Sequence, residues 1–292
     1  MPPLSPSEIS IPAAIGGLIF FIIFMVGISA DIVIIGSIIR GRVNWGLGQQ
    51  RLKDRPWSVY DGIHLLAVIG TMLAALVLIG QITNLCGIVP EKSAEPVLLL
   101  IETLLIQGGT LITIEYLRRR NHATLTTGFL TKPHSTRKNL TLGLFFYLAI
   151  IPPVAISALL SNELLQFFNI PVESQEILKG LSDPSSPFWL RSYLILMAVV
   201  FAPLLEELTF RGIALPLTAK HASPILSVIA VSVLFAFIHG HLPAFIPLFL
   251  VAVGFSSAYI YTGSILVPIT MHALFNGVNL IVFFLHTNTT QL

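Results

Sequence analysis

The sequence predicts an all-α protein, a polytopic bundle of about eight transmembrane helices. Only 10% of its 292 residues are charged and 54% are hydrophobic, whereas soluble domains carry about 25% charged residues. The apolar residues are gathered in runs of roughly 20, the length that an α-helix needs to cross the hydrocarbon core of a bilayer. The net charge of only +2 gives no reason to expect a nucleic-acid partner. The lipid bilayer is therefore the first predicted partner.

Eight apolar runs meet the length requirement for a membrane helix. In chain order they are residues 12–39, 62–83, 97–117, 140–161, 192–219, 224–242, 244–261 and 264–286. The segment L-L-Q-F-F at 164–168 is predicted as a short interfacial helix of its own. We expect two regions, an N-terminal four-helix membrane region over 1–161 with no recognisable role and a second membrane region over 190–286.

Basic residues predict the orientation of the bundle. Thirteen of the sixteen lysines and arginines fall between helices 1 and 2, between helices 3 and 4, or near the turn between helices 5 and 6. Lys92, Lys179 and Arg191 remain for the opposite side. Because cytoplasmic loops carry the excess of lysine and arginine, both termini are predicted outside and the three basic connections in the cytoplasm. The chain is thus predicted to be an integral multi-pass protein, of the inner or plasma membrane if it is bacterial.

The fifth predicted helix contains F-A-P-L-L-E-E-L-T-F-R, which ends at Arg211. A charge at bilayer depth costs roughly 2.5–3.5 kcal/mol on insertion scales, so such residues are rare and usually functional. Glu207 and Arg211 are four residues apart and share one helical face, which predicts an ion pair. Glu206 is rotated by about 100° from Glu207 and points elsewhere.

Two later helices contain polar residues at the same depth. The sixth contains F-A-F-I-H, which ends at His239, and the eighth contains H-A-L-F-N, from His272 to Asn276. The midpoint between Glu206 and His239 falls in the polar, turn-like stretch 220–224, so a hairpin there places both side chains roughly 20 Å from the turn. His272 and Asn276 lie about 12–18 Å from the next turn on that side. These four groups are therefore predicted to meet.

Such a set of side chains suits hydrolysis of a peptide bond, which needs a base for water and donors for the oxyanion. Glu206 would activate the water and His239 would orient it. His272 and Asn276 would donate to the developing oxyanion.

The motifs E-E-L-T-F-R, F-A-F-I-H and H-A-L-F-N fit E-E-x-x-x-R, F-x-x-x-H and H-x-x-x-N. In this order they resemble the CPBP intramembrane proteases. That family comprises the type II CAAX prenyl proteases and the bacterial relatives linked to bacteriocin processing and immunity, also called the ABI family. The resemblance covers about residues 190–286, and it implies a helical endopeptidase whose site opens toward the cytoplasm.

The resemblance implies that the catalytic residues are Glu206, His239, His272 and Asn276, with Glu207 and Arg211 as a structural ion pair. The substrate would be a membrane-associated protein or peptide, either of the prenylated CAAX type or bacteriocin-like. The family has been labelled both metallo- and glutamate-type. A zinc ion, if bound, would be held by Glu206, His239 and His272, although the sequence contains no H-E-x-x-H motif.

Other interpretations stay open at this stage. The chain would instead be a catalytically silent immunity or scaffold protein, or a carrier that uses the ion pair. Ser256 and Ser257 in G-F-S-S-A offer a serine-protease alternative with a poor flanking pattern.

Overall fold

The computed structural model describes residues 11–87, 95–129, 135–170, 181 and 186–290. Ten helices make up these ranges, and a 3₁₀ turn, Leu242–Ala244, precedes the ninth. The helices are α1 Ile11–Ile39, α2 Trp45–Lys53, α3 Val59–Leu85, α4 Glu95–Arg120, α5 Leu125–Phe129, α6 Thr136–Phe167, α7 Phe188–His221, α8 Pro224–Ile238, α9 Phe245–Thr262 and α10 Leu266–Thr290.

The predicted fold class is confirmed. Seven of these helices are long and apolar enough to cross a membrane, and α8 is a shorter apolar helix of 10–17 residues. The sixth predicted span was drawn too long, because α8 ends at Ile238 and Gly240 takes a left-handed conformation with φ 61°. Only glycine adopts such a φ without steric cost, so the helix stops there.

Three local predictions need correction or addition. The segment 164–168 is not a separate helix, because α6 continues to Phe167 and buries Leu165 against the bundle. The short helices α2 and α5 were not predicted, since they lie in the connections and are too short to span a bilayer. Three of the lysines counted for the predicted orientation lie outside the described residues: Lys92, Lys132 and Lys179.

The centre of the bundle is built by α6, α9 and α10, whose backbones approach closely at glycines. A methyl group added to Gly143 on α6 would lie 2.5 Å from Thr270 on α10. A methyl group added to Gly254 on α9 would lie 2.5 Å from Ile150 on α6. Small residues let membrane helices pack closely where burial against lipid gives no driving force. By contrast, α3 packs mainly against α4, and most of its apolar side chains are exposed.

The basic connections meet at one end of the bundle, which we call the basic end. The buried Arg55 guanidinium, from the connection after α2, donates to the Thr127 carbonyl at 2.9 Å and to Tyr259 Oη at 2.9 Å. Lys220 Nζ, from the end of α7, donates to the carbonyls of Arg55, at 2.9 Å, and Trp57. These bonds join the connections around α2 and α5 to the ends of α7 and α9. Which compartment the basic end faces stays a prediction.

Candidate active site

Helix α7 is irregular on both sides of the two adjacent glutamates. An α-helical segment, Ala202–Glu207, lies between two π-helical segments, Met197–Phe201 and Leu208–Ala214. π-helical turns inside α-helices occur frequently at functional sites. These irregular turns were not predicted from the sequence.

Asn276 completes the first π-helical segment. The Ala202 N–H donates to the Met197 carbonyl, five residues back. The next donor in that ladder would serve the carbonyl of Ala198, but it belongs to Pro203, which has no N–H. Asn276 Nδ2 on α10 donates to the Ala198 carbonyl at 2.8 Å instead. Asn276 therefore ties α10 to the part of α7 that precedes Glu206.

Glu207, Arg211 and Ser256 form a packed cluster, and all three residues are fully buried. Arg211 Nη1 donates to Glu207 Oε1 at 2.8 Å, and Arg211 Nη2 donates to the Ala252 carbonyl at 3.1 Å. Arg211 Nε lies 3.4 Å from Ser256 Oγ. The sequence-predicted ion pair is thus present, and a buried charge pair needs such additional hydrogen bonds to offset its lost hydration.

Aromatic rings enclose the Arg211 guanidinium. Its central carbon lies 4.7 Å from the ring centroid of Phe235 and 5.2 Å from that of Phe255. A guanidinium over an aromatic face is attracted by the ring quadrupole, and more strongly when it is desolvated. Phe235 is 1% exposed, so the motif phenylalanine serves packing.

Glu206 and His239 form an open cluster beside the packed one. Their side chains are 29% and 27% exposed, and Glu206 Oε2 lies 3.9 Å from His239 Nε2. His239 follows the last residue of α8, and its Nδ1 lies 2.7 Å from the Phe235 carbonyl. Because a carbonyl can only accept, this Nδ1 carries the hydrogen. In the neutral ring, Nε2 is then an acceptor.

His272 links the two clusters. Its Nδ1 donates to Glu207 Oε1 at 2.8 Å, and its Nε2 lies 3.9 Å from Glu206 Oε2. The ring is almost fully buried and packs against Phe235 and Phe255, with centroids 5.9 and 5.2 Å away. The bond from His272 to Glu207 was not predicted. Its formation depends on how α10 is rotated about its axis relative to α7.

Three polar atoms surround the space beside Glu206: Glu206 Oε2 and the Nε2 atoms of His239 and His272, each 3.9 Å from that oxygen. Glu206 Oε2 is buried and has no hydrogen-bond partner among the described residues. A buried polar atom without a partner in a native protein calls for a ligand or a functional explanation. Each 3.9 Å separation is short enough for one water molecule to contact both atoms at hydrogen-bond distance.

A tetrahedral zinc ion fits this spacing poorly. Ligand atoms about 2.0–2.1 Å from zinc stand about 3.3 Å apart, whereas Glu206 Oε2 is 3.9 Å from either imidazole nitrogen. No group of three or more His, Cys, Asp or Glu side chains in the described part of the chain has a metal-binding arrangement. The side chains in this arrangement therefore do not fit a tetrahedral zinc ion.

The predicted site residues thus separate into three places. Glu206, His239 and His272 lie together, and Glu207 and Arg211 lie directly behind them. Asn276 is one turn beyond His272 on α10, and its described hydrogen bond goes to the backbone of α7.

Comparison with known proteins bears on the same part of the chain. Residues 187–278 match the family model of the Rce1-like type II CAAX prenyl endopeptidases. No curated protein and no solved structure matches the chain. The matched segment begins just before α7 and contains all three motifs. It supports a CAAX protease-type hydrolase, and the seven long apolar helices agree with an integral multi-pass membrane protein. The resemblance indicated by the motifs is therefore confirmed for residues 187–278, which match the Rce1-like type II CAAX prenyl endopeptidase family.

Proposed function

We propose that this protein is an intramembrane endopeptidase in which Glu206 activates a water molecule for attack on a peptide bond. The observation that carries the proposal is the position of Glu206 Oε2, which lies 3.9 Å from both imidazole Nε2 atoms and has no partner among the described residues. A water molecule at that point can donate one hydrogen to the carboxylate and the other to an imidazole. Its oxygen lone pair is then directed away from the protein groups and toward a substrate.

The chemical step follows from these positions. Glu206 accepts a proton from the water, and the water oxygen bonds to the scissile carbonyl carbon to give a tetrahedral intermediate. When the intermediate collapses, the C–N bond breaks and Glu206 returns the proton to the leaving nitrogen. General acid–base catalysis by a positioned carboxylate contributes about 10²–10⁴ in rate.

The histidines have distinct parts in this proposal. His239, the more exposed of the two, orients the water through Nε2. His272 is held by Glu207 through Nδ1 and faces the open cluster through Nε2, from which we assign it to the oxyanion. Asn276 uses one amide hydrogen for Ala198 and has a second for the oxyanion.

The substrate class proposed is a membrane-associated protein or peptide, because Glu206 lies on α7, a helix that is long enough to span a bilayer. The matched family points to a C-terminal CAAX-type sequence carrying a prenyl group. The related bacteriocin-processing proteins make a small unprenylated peptide the second candidate. The two differ in whether the prenyl chain is required.

The test is cleavage of a farnesylated CAAX peptide by the full chain in liposomes, with the unprenylated peptide alongside. We expect Glu206→Gln to fold normally and to cleave about 10² times more slowly or worse, because the amide keeps the shape but cannot accept the proton. Glu102→Gln is the matched control, since Glu102 is an exposed glutamate on another membrane helix, α4. It should leave cleavage unchanged.

Two outcomes would decide against the proposal. Cleavage by Glu206→Gln at the wild-type rate would exclude Glu206 as the base. A wild-type chain that cleaves neither peptide nor any membrane peptide from its own cells would favour the silent scaffold or carrier.

A zinc chelator in the same assay should have no effect. Loss of activity that zinc restores would contradict the water-only mechanism.

A further inference from the structure

A second polar site lies at the basic end, and none of its lining residues belongs to the two glutamate clusters. A cavity of about 310 Å³ opens between the connection before α2, helix α2, the first turns of α6 and the end of α9. Its lining includes Arg42, Asn44, Arg51, Lys138, Leu142 and Tyr261. We call it the basic cavity. Nothing in the proposed peptidase mechanism uses it.

The charge in the basic cavity is of one sign. Arg42, Arg51 and Lys138 come from three different elements, and no carboxylate is among the described lining residues. In the part of the chain that the structure describes, none of the three forms an ion pair. Arg55 and Lys220 at the same end differ in this respect, because their nitrogens are bound to backbone carbonyls. The cations of the basic cavity are therefore available to a ligand.

Helix geometry adds to the attraction for an anion. Lys138 lies in the first turn of α6, at the positive end of the helix, where Ser135 Oγ accepts from its backbone N–H at 3.3 Å. Asn44 caps α2 by accepting from the Leu47 N–H at 2.9 Å through Oδ1. This leaves its amide NH₂ as a further donor for the ligand.

One wall of the basic cavity is apolar and partly exposed. Tyr261, the second-last residue of α9, is 47% exposed, and its ring meets Phe146 edge-on with centroids 5.8 Å apart. Leu142, one turn before Phe146 on α6, completes this wall. Tyrosines are enriched at the membrane interface, where an apolar ring and a polar hydroxyl are both accommodated. The basic cavity thus combines three cations with an apolar side.

We propose that the basic cavity binds the phosphate headgroup of an anionic membrane phospholipid, with an acyl chain along Tyr261 and Leu142. Basic pockets between membrane helices on the positively charged side are suited to such headgroups. A free phosphate ion satisfies the same cations but makes no use of the apolar wall. The lipid is therefore the source to which we assign the site.

The test is native mass spectrometry of the full chain from detergent micelles doped with equal amounts of phosphatidylglycerol and phosphatidylcholine. We expect the wild-type chain to retain phosphatidylglycerol preferentially. The triple variant Arg42→Gln, Arg51→Gln, Lys138→Gln should lower that preference by about tenfold or more, since each cation near an anionic lipid contributes about fivefold in affinity. Circular dichroism and melting of both variants show that the bundle is intact.

The control removes the same charge from the same segments. Arg40→Gln, Lys53→Gln, Arg137→Gln alters three exposed neighbours that do not line the basic cavity, so it removes only general surface attraction and should lower the preference clearly less than the cavity variant does. Equal losses in the two triple variants would show only general surface attraction and would overturn the proposal. Displacement of the lipid by millimolar inorganic phosphate would assign the site to free phosphate instead. If the triple variant unfolds, Arg51→Gln alone, against Lys53→Gln, gives the same comparison. Neither result depends on peptidase activity.

Discussion

The two adjacent glutamates of α7 show how one helical turn can serve two opposite purposes. Glu207, in the packed cluster, is fully buried and bound to Arg211 and His272 through a single oxygen, Oε1. Glu206, in the open cluster, is 29% exposed and lies 3.9 Å from two imidazoles. Each glutamate has an Oε2 atom that is buried and without a partner among the described residues, so the two differ in exposure and in the Arg211 partner of Glu207. The two side chains differ by one residue in sequence and by about 100° in direction.

The contrast between Glu207 and Glu206 shows how a reactive carboxylate can be kept inside a membrane bundle. A buried charge is tolerated when another charge and several hydrogen bonds satisfy it, and such a group is held too firmly to react. Glu206 has no lysine or arginine partner among the described residues, and its side chain is 29% exposed although Oε2 itself is buried. His272 connects the two clusters, because its Nδ1 is fixed by Glu207 while its Nε2 faces Glu206. The packed cluster therefore fixes the orientation of His272, which faces Glu206 in the open cluster.

The largest stability effect is expected from breaking the packed cluster at its cation. Arg211→Ala leaves the Glu207 carboxylate buried beside His272 without its counter-ion, which in buried pairs costs about 3–5 kcal/mol. We expect a large fall in the free energy of unfolding, measured in mixed micelles with increasing SDS, together with loss of cleavage.

The double variant Glu207→Gln, Arg211→Met is the control for that prediction. It removes both charges, so much of the lost stability should return. Cleavage should stay low, because His272 no longer has a carboxylate to hold Nδ1. Wild-type melting of Arg211→Ala with only a rate defect would show that Arg211 acts on the substrate.

A smaller effect, mainly on rate, is expected at Asn276. Asn276→Ala removes the second amide hydrogen proposed for the oxyanion, and loss of one such donor costs about 10²–10³ in kcat. The hydrogen bond to Ala198 across the helices contributes only about 0.6 kcal/mol in membrane bundles, so melting should change little. Asn279→Ala, on an exposed position of the same helix, is the control and should leave both unchanged. A rate loss no larger than the change in stability would reduce Asn276 to a support for α7.

Much of this arrangement was predictable because helical rise and rotation are constant. The turn at 220–224 was readable from its polarity, and equal distances from it placed Glu206 and His239 at one depth. The spacing of four residues likewise predicted the Glu207–Arg211 pair, which the structure shows at 2.8 Å.

Other features depend on contacts that no local pattern specifies. The bond from His272 to Glu207 requires a particular rotation of α10, which packs closely against α6 at Gly143. Helix α5 is only five residues long, and it is held by bonds from Arg55 and Tyr259, which are distant in sequence. The role of Asn276 as a substitute for the missing Pro203 N–H could be seen only with both helices in place.

The smallest effect is expected at Ser256, where the packed cluster and the serine-protease alternative make opposite predictions. Ser256 is fully buried, and its Oγ lies 3.4 Å from Arg211 Nε, at the long limit of a hydrogen bond. Ser256→Ala should therefore lower the free energy of unfolding by about 0.5–1.5 kcal/mol at most. Cleavage should stay within about twofold of wild type, since Arg211 keeps Glu207 and Ala252 as partners. The neighbouring Ser257→Ala variant is the matched control for a hydroxyl lost from α9. If Ser256→Ala abolished cleavage while melting stayed normal, the hydroxyl would be the nucleophile. Glu206 would then lose its place as the base, because a serine enzyme attacks through the side-chain oxygen rather than through water in its first step.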